Sequence, residues 1–426
     1  MKPQTIIHPL SHTWCTDSTP SGLLRNMSQP GIMWRHWNSY SLMNSFPAIL
    51  IGGPPHSGKS TLSYSLSQAL RRRNIAHYLM RAAPDGEGDW THELQNAAVQ
   101  PVRFKGAWTQ HWVDVTCRDV AQRTLPLLVD VGGKPTPAQE AIFDQCTHAI
   151  VIAAEDSDRE RWAQMAHAHN LTPIAILRST LEPDPPPDPP SSPGGPLVGT
   201  ITGLSRKAPA PGGLFDALVE RVADLFAPFT EAEVLRIHLS RAPFRNPAEW
   251  PPVHLTHFRD LHRALRPDDP SGRFRLDDDI APALALIPDD RPVALYGRAP
   301  IRLVAAIAAR RDVRWQFDAR LGWLQTPRLS ICPPGDLSYL DHPHLAIEMA
   351  SIGPQATVLT LRGRDSYLDY DEMLNVRLPY IAPDQHVTLG GPEGGKLPQW
   401  LMAGIAAAYR SCAGVMAWQP QSDTAV

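Results

Sequence analysis

The first half of the chain alternates short apolar runs with longer segments of mixed polarity. Each apolar run has the length of a strand that is buried on both faces, which is typical of parallel sheets. The runs lie at 46–51, 76–81, 125–131, 149–154, 173–177 and 197–201. A helix-like segment follows the first run from Thr61, and another at 214–226 would close the domain. This alternation predicts a parallel α/β sheet domain over residues 46–230.

A glycine-containing segment at 53–60, Gly-Pro-Pro-His-Ser-Gly-Lys-Ser, joins the first apolar run to the first helix. It has the spacing of a phosphate-binding P-loop, in the strand–loop–helix context that such a loop requires. Glycines let backbone N–H groups approach a triphosphate, and the helix start adds partial positive charge. Lys59 would reach the β- and γ-phosphates of ATP, and the Ser60 hydroxyl would bind Mg²⁺. The predicted nucleotide-binding residues are Gly53, Ser57, Gly58, Lys59, Ser60 and Thr61.

The third apolar run ends in a carboxylate, Asp130, which is followed by Val-Gly-Gly. At the carboxyl end of a buried parallel strand, Asp130 would be the second anchor for Mg²⁺ beside Ser60 and a catalytic residue together with Lys59. The alternative is that Asp130 serves the turn before a helix that starts near Thr136. No glutamate follows Asp130, at the position where motor-type ATPases place their water-activating residue. The pattern therefore favours a small-molecule kinase or a switch-like NTPase.

An acidic loop follows the second apolar run and contains Asp85, Glu87 and Asp89 among glycines. Open parallel sheets bind ligands at the carboxyl ends of their strands. Asp85 or Glu87 would therefore be placed to accept a proton from the hydroxyl of a phosphoryl acceptor. The alternative is a solvated acidic turn. We take Asp85 and Glu87 as candidate catalytic residues of a kinase-like reaction.

Composition narrows the cellular setting and the class of partner. The 426 residues are 43% hydrophobic and 19% charged, and the formal net charge is −3. This balance is ordinary for a globular protein and does not favour binding to long nucleic acid. The five cysteines are scattered without metal-ligand spacing, which indicates a reducing cytoplasm. The sequence has no apolar run of transmembrane length, so we expect no membrane association.

Two segments lack the periodicity of helices or strands. Residues 1–45 are rich in Ser, His and Trp, and we expect a disordered tail there, or a start of translation at Met43. Residues 183–196 are dominated by proline, which excludes a helix or a central strand. This second segment is predicted to form an extended solvated loop within the first domain.

The C-terminal half contains an internal repeat. Residues 287–297 and 381–391 share Ile, Asp, Val, Leu and Gly in the same order, with a one-residue offset at the start. The match resumes at 300–309 and 398–407, where Pro, Leu, Ile and several alanines coincide. Each copy predicts a strand, a glycine-containing turn, a helix that begins after proline, and a second strand. The alternative is two unrelated βαβ units that share a common pattern.

Arginine is concentrated in the first copy. Residues 291–328 contain eight Arg and two Asp, with no Lys or Glu. The second strand of this copy alternates, so Arg314, Gln316 and Asp318 would share one face. Such a face would suit phosphates, which a guanidinium group binds through two parallel hydrogen bonds. The alternative is a solvated face with ordinary ion pairs.

These motifs resemble the CRISPR-associated ring nuclease family of type III systems, members of which are found fused to an AAA-labelled P-loop domain. The first copy has Gly-Arg-Ala-Pro at 297–300 and Phe-Asp-Ala-Arg-Leu-Gly at 317–322, and the second has Pro-Gln-Trp-Leu at 398–401. The resemblance implies two tandem α/β domains of the CARF-like, ring-nuclease-like fold, at 231–335 and 336–426. It also implies a homo-oligomer that binds a cyclic oligoadenylate, with cyclic tetra-adenylate as the expected ring.

The resemblance assigns roles to individual residues. Arg298 would bind the ring, and Asp318 and Arg320 match the Asp and Arg that the family carries on the strand after the helix. The family's histidine near the helix end is not matched, because Ala-Arg-Arg-Asp occupies 309–312. The second copy lacks the Asp and the Arg as well. Binding of the ring is therefore expected, with weak or absent cleavage.

Two functions of different classes follow from the sequence. The first is a signalling protein of type III CRISPR antiviral defence, in which the C-terminal copies bind the ring and the P-loop domain binds or turns over ATP with Mg²⁺. The alternative is a P-loop kinase that phosphorylates a small molecule or nucleotide, with the C-terminal copies serving assembly. A third is an ATP-dependent oligomer without turnover. The acidic loop favours the kinase, and the arginine-rich face around Asp318 favours ring binding.

Overall fold

The computed structural model of the protein describes residues 46–83, 108–182, 194–204, 212–245, 252–269, 271–364, 368–390 and 397–418. The predictions for residues 1–45, for the acidic loop with Asp85 and Glu87, and for residues 183–193 lie outside these ranges. From Phe46 onwards the chain forms one compact unit. None of the helices in the described ranges is both long enough and apolar enough to cross a membrane.

A parallel six-stranded sheet forms the first part of this unit. Its strands are β1 (Ala48–Gly52), β2 (Tyr78–Ala82), β3 (Leu127–Val131), β4 (His148–Ala153), β5 (Thr172–Thr180) and β6 (Leu197–Thr202). They lie in the order β2-β3-β1-β4-β5-β6, and every neighbouring pair is parallel. The predicted parallel α/β sheet is thus confirmed. The apolar runs are nearly continuous because each central strand is buried on both faces.

Helices cover both faces of the sheet. They are α1 (Lys59–Arg72), α2 (Gln110–Ala121), α3 (Pro137–Glu140), α4 (Asp156–Ala168) and α5 (Gly213–Phe226). Alternate residues of β1 enter different cores. Ile49 and Ile51 pack with residues of α1 and α5, whereas Ala48 and Leu50 pack with residues of α2 and α4. The central strand therefore joins the two helical layers.

The chain continues into a second, mixed sheet. Its elements are α6 (Glu231–Ser240), β7 (His254–His257), α7 (Phe258–Leu265), α8 (Leu276–Leu286), β8 (Val293–Tyr296), α9 (Ile301–Arg310), β9 (Val313–Asp318) and β10 (Gly322–Gln325). The strand order is β10-β9-β8-β7. The pairs β7–β8 and β8–β9 are parallel, and β10 returns antiparallel to β9.

A third sheet completes the described chain. Its region contains β11 (Ser330–Ile331), β12 (Leu345–Ser351), β13 (Ala356–Gly363), α10 (Tyr370–Met373), β14 (Arg377–Leu378), β15 (His386–Leu389), α11 (Gln399–Ala408) and β16 (Gly414–Ala417). The four-stranded sheet has the order β12-β13-β15-β16, while β11 and β14 form a separate parallel pair. Within the larger sheet, β12 is antiparallel to β13 and the other pairs are parallel.

The second and third sheets contain the same β–α–β unit. Helices α9 and α11 each have ten residues and begin directly after a proline, Pro300 and Pro398. Each helix connects neighbouring parallel strands, β8 to β9 and β15 to β16. Leu303 and Leu401, which the repeat aligns, are both the third residue of their helix and are both fully buried. The antiparallel strand differs, because β10 follows this unit and β12 precedes it.

One hydrophobic core runs through both of these sheets. Leu303 and Ile307 of α9 belong to the same buried cluster as Leu401 and Ile405 of α11. The side-chain amide of Gln399, at the start of α11, also donates to the carbonyl oxygen of Ala299 over 2.8 Å. The mixed α/β character of the C-terminal half is therefore established. Its division into two tandem domains at residues 335 and 336 stays a prediction, because the two halves share their core.

A buried histidine joins the first sheet to the second. His238 of α6 is 2% exposed, and its ring stacks on Phe317 with centroids 4.1 Å apart. Its Nε2 lies 2.6 Å from the carbonyl oxygen of Thr124, and its Nδ1 lies 2.8 Å from the hydroxyl of Tyr296. A carbonyl accepts only, so Nε2 carries the proton and Nδ1 accepts from the tyrosine. The neutral imidazole therefore satisfies both neighbours at once.

A buried carboxylate forms the second junction. Asp119 of α2 is 2% exposed and pairs with Arg118 of the same helix and with Arg320, which follows β9. Arg118 also pairs with Asp369, at the start of α10, over 3.0 Å. Burial raises the pKa of Asp119, although both guanidinium groups act in the opposite direction. Through these pairs α2 contacts both C-terminal sheets.

We expect His238→Gln to reduce the pH dependence of folding. Burial lowers the pKa of His238 from its ordinary 6.5 to about 4. The unfolded chain binds a proton at this histidine below its ordinary pKa of 6.5, whereas the folded chain does so only near pH 4. The free energy of unfolding is therefore highest above pH 6.5 and falls as the pH decreases towards 4. The loss amounts to about 3 kcal/mol in the free energy of unfolding. Urea unfolding of the full chain across this pH range measures the decline, which should be shallower in the variant.

The matched control for this prediction is His167→Gln, which replaces an exposed histidine of α4. This control should lose stability with falling pH as the wild type does. A His238→Gln variant with the same decline as the wild type would show that the buried ring does not resist protonation.

Candidate functional site

The loop between β1 and α1 is shaped by two glycines. Gly58 caps α1 with φ at +89°, and a Cβ there would lie 2.8 Å from a side-chain carbon of Leu204. A Cβ on Gly53 would lie 1.9 Å from the carbonyl oxygen of Ile152. Only glycine fits these two positions without displacing its neighbours. The loop thus forms a close-fitting turn at the carboxyl end of a central strand, with the first turn of α1, including Ser60 and Thr61, directly behind it.

Two side chains of this loop have the chemistry of a phosphate site. The ammonium group of Lys59 donates to the carbonyl oxygen of Pro54 over 2.7 Å, so the side chain folds back across the loop. Burial lowers the pKa of Lys59, and the charge of Asp130 opposes this shift. The hydroxyl of Ser57 is buried and has no hydrogen-bond partner among the described residues. An oxyanion in the loop would supply a partner for this hydroxyl and for the Lys59 ammonium.

Asp130 lies at the same edge of the sheet. Strand β3 is the neighbour of β1, and Asp130 stands opposite Ile51 on one side and Arg81 of β2 on the other. The residue is 4% exposed, and its carboxylate accepts from Arg81 Nη1 over 2.9 Å. The hydroxyl of Ser60 and the carboxylate of Asp130 are oxygen donors of the kind that Mg²⁺ prefers. The predicted pair of metal anchors is thus carried by α1, which follows the loop, and by β3, the neighbour of β1 in the sheet.

Arg81 is a residue of this site that the sequence reasoning missed. Its side chain is 9% exposed, and it forms a buried ion pair with Asp130, one of the two predicted metal anchors. A signal was present, since an arginine ended the second apolar run where a buried strand would be apolar. The pairing itself depends on β2 lying beside β3, which the sequence does not state.

The rim of the loop is formed by the residues that follow β3. A Cβ on Gly133 would lie 2.4 Å from the backbone nitrogen of Pro55, so this glycine is in close contact with the loop. A Cβ on Gly132 would lie 3.2 Å from the ring of Trp108. Trp108 is 42% exposed and packs edge-to-face against Trp112 of α2. An aromatic surface therefore stands beside the loop, at the start of the helix that contacts the C-terminal sheets.

The residues predicted to bind a ring have protein partners in the structure. The Arg298 guanidinium lies 5.5 Å from the ring centre of Tyr78. The Asp318 carboxylate accepts from the backbone N–H groups of Arg320 and Leu321, at 2.8 and 3.1 Å, and so stabilises a turn. Arg320 is engaged with the buried carboxylate of Asp119. The shared phosphate pocket of Arg298, Asp318 and Arg320 stays a prediction.

A second polar cleft, of about 370 Å³, lies on the third sheet. Its charged groups face one another: Glu372 lies 3.6 Å from His344 and 3.2 Å from His111 of α2, and Arg377 lies 3.0 Å from Asp336. Within the described residues there is no group of three or more His, Cys, Asp or Glu suited to hold a metal ion. These pairs give Glu372, His344 and Arg377 partners within the protein, while Asp341 also lines the cleft.

We expect Gly133→Ala to weaken nucleotide binding by roughly tenfold to a hundredfold, because the added methyl group must displace the loop. The displacement follows from the 2.4 Å approach of this position to Pro55. Binding of a fluorescent ATP analogue measures the effect. The control is Gly213→Ala, at the first residue of α5, where nothing lies within 4 Å of an added Cβ. Equal affinities of the two variants would contradict the assigned contact.

Comparisons with known proteins identify no family for this chain. No protein-family model matches the sequence, and no curated protein is similar to it at a significant level. Among solved structures, an unliganded sugar kinase from a Janibacter species is similar over 44% of this chain and 98% of its own, with 10% identity and a TM-score of 0.20. A TM-score this low carries no argument, so the function rests on the geometry of the site.

Proposed function

We propose that residues 46–230 bind a nucleoside triphosphate with Mg²⁺ and transfer its terminal phosphoryl group to a small-molecule acceptor. One observation carries the proposal. The glycine loop contains the Lys59 ammonium and a Ser57 hydroxyl that has no hydrogen-bond partner among the described residues. This loop lies beside the buried carboxylate of Asp130. Few ligands other than a phosphate chain with its metal use all of these groups together.

Binding would redirect the side chain of Lys59. Its ammonium now donates to Pro54 within the loop, and burial disfavours its charged form. A triphosphate brings several negative charges to this buried position, so the ammonium gains a stronger partner than a neutral carbonyl. The backbone N–H groups at the start of α1 and its partial positive charge act in the same direction. Affinity for the phosphates therefore comes from the loop and from the helix start together.

The metal would be held by Ser60 and Asp130. The chemistry that Mg²⁺ would supply there is neutralisation of the negative charge on the phosphates. The protein's own contribution is to position one hydroxyl on α1 and one carboxylate on β3, the strand beside β1. Positioning is the main requirement, because phosphoryl transfer needs little covalent chemistry from the protein.

Transfer to an acceptor is favoured over hydrolysis by the residues that follow Asp130. They are Val131, Gly132 and Gly133, so this strand end supplies no second carboxylate to activate water. The exposed face of Trp108 offers an apolar wall beside the loop for an acceptor. The proton acceptor that the sequence suggests, Asp85 or Glu87, lies in the segment outside the described residues.

The nucleotide assignment is tested by Lys59→Ala. We expect its affinity for ATP with Mg²⁺ to fall by roughly tenfold to a hundredfold or more, since a charge-assisted hydrogen bond to phosphate is lost. Anisotropy of a fluorescent ATP analogue measures this affinity. The control is Lys134→Ala, which removes the same charge from an exposed lysine near the loop and should bind as the wild type does. Equal binding by Lys59→Ala and the wild type would place the nucleotide elsewhere.

The same preparations separate transfer from hydrolysis. Wild-type protein is incubated with γ-labelled ATP and pools of sugars or nucleosides, and the label is followed into acceptor and into free phosphate. Label in an acceptor, absent with Lys59→Ala, supports the kinase. Label in free phosphate alone assigns the site to an ATPase.

A second candidate function, binding of a cyclic oligoadenylate, is favoured by one observation. The exposed Arg298 guanidinium lies beside the Tyr78 ring, so a cation and an aromatic face are presented together, as phosphates and bases require. Because the histidine of the resembling family has no counterpart, binding rather than ring opening is the proposal.

Arg298→Ala should weaken any binding of cyclic tetra-adenylate by roughly tenfold, the value of one charge-assisted phosphate contact. Isothermal titration measures it. Arg310→Ala, at the exposed end of α9, is the matched control and should bind as the wild type does. No heat of binding with wild-type protein, across rings of several sizes, would remove this candidate.

A further inference from the structure

The carboxylate that would serve the metal is already held by a cation. Arg81 Nη1 lies 2.9 Å from Oδ2 of Asp130, and the two side chains are 9% and 5% exposed. The residues stand directly opposite each other on the neighbouring parallel strands β2 and β3. A metal ion that binds this carboxylate must therefore compete with a guanidinium group in a position that is screened from water.

The charges around Asp130 oppose entry of a free metal ion. Among the described residues, Lys59 and Arg81 bring two positive charges to this one carboxylate. A divalent cation that approached Asp130 would be repelled by these two cations, and like charges repel more strongly in a buried place than in water. The phosphates of a nucleotide offer both cations a negatively charged partner.

Stability alone does not explain the pair. A buried ion pair commonly adds no more stability than a well-packed apolar pair, because both charges lose their hydration. The other strand residues at this level are apolar or small, as Ile51 and Gly52 of β1 show. An ion pair at the ligand edge of the sheet therefore points to a role in the site.

We propose that Arg81 makes metal binding conditional on nucleotide, an inference that rests on the proposed nucleotide site. In the nucleotide-free protein Arg81 occupies Asp130 and keeps divalent ions out. The phosphates of an arriving nucleotide attract the guanidinium and the Lys59 ammonium, and Asp130 becomes available to the metal that the phosphates carry. Arg81 is thus a positioning residue that sets the order of loading, with nucleotide first or together with its metal.

The experiment measures Mn²⁺ bound to the full chain by electron paramagnetic resonance, with and without a non-hydrolysable ATP analogue. Wild-type protein should bind Mn²⁺ tightly with the analogue and weakly without it. In nucleotide-free Arg81→Met, loss of the adjacent cation should strengthen Mn²⁺ binding by about tenfold or more. Arg81→Lys keeps the charge and should resemble the wild type. Arg81→Met combined with Asp130→Asn should lose the gain, which locates the metal at Asp130.

Each outcome decides between the two proposals. Tight Mn²⁺ binding to nucleotide-free wild type overturns the role of Arg81, as does an Arg81→Met variant that binds the analogue yet gains no affinity for Mn²⁺ alone. If Arg81→Met does not fold, Arg81→Gln, which removes the charge but keeps a polar side chain, carries the same test with the same expected gain in Mn²⁺ affinity. Wild-type protein that binds neither the analogue nor Mn²⁺ in its presence contradicts the nucleotide site itself.

Discussion

The described structure depends on the buried carboxylate of Asp119 and the two guanidinium groups that enclose it. Arg118 extends this contact to Asp369, and Arg320 follows β9, so the ion pairs around Asp119 link α2 to both C-terminal sheets. A charge of this kind tolerates burial only with its partners in place. The position of α2 is thereby set at one end by ion pairs, and at the other by Trp108 against Gly132 at the rim of the loop. The proposed nucleotide site and the C-terminal half are thus both in contact with the segment that contains α2.

The first domain could largely be predicted from the sequence because its signals are local. An apolar run before Gly53 and a lysine and serine after Gly58 define strand, loop and helix without reference to distant residues. The missed features all depend on strand neighbours. The partnership of Arg81 with Asp130 follows from β2 lying beside β3, and the fit of Gly133 against the loop follows from β3 lying beside β1. Apolar runs predict strands but not their order, so these contacts required the structure.

The repeat predicted helices and strands, but it did not predict which of their surfaces are in contact. It predicted helices that begin after Pro300 and Pro398, and both do. It could not indicate that the two helices share one core. An apolar helix face has the same sequence pattern whether it packs within its own domain or against a neighbouring one. The role of Asp318 was equally hidden. A carboxylate that accepts from two backbone N–H groups of a turn and one that binds a ligand look alike in sequence.

The shared core of α9 and α11 has a consequence for synthesis on the ribosome. The first helix begins at residue 301 and the second at residue 399, so 98 residues separate the emergence of one apolar face from that of its cover. At typical rates of translation this interval lasts roughly 5 to 20 s. During that time the surface of α9 that α11 covers in the folded protein has no cover. Slow elongation over this stretch would lengthen the exposure of this apolar surface.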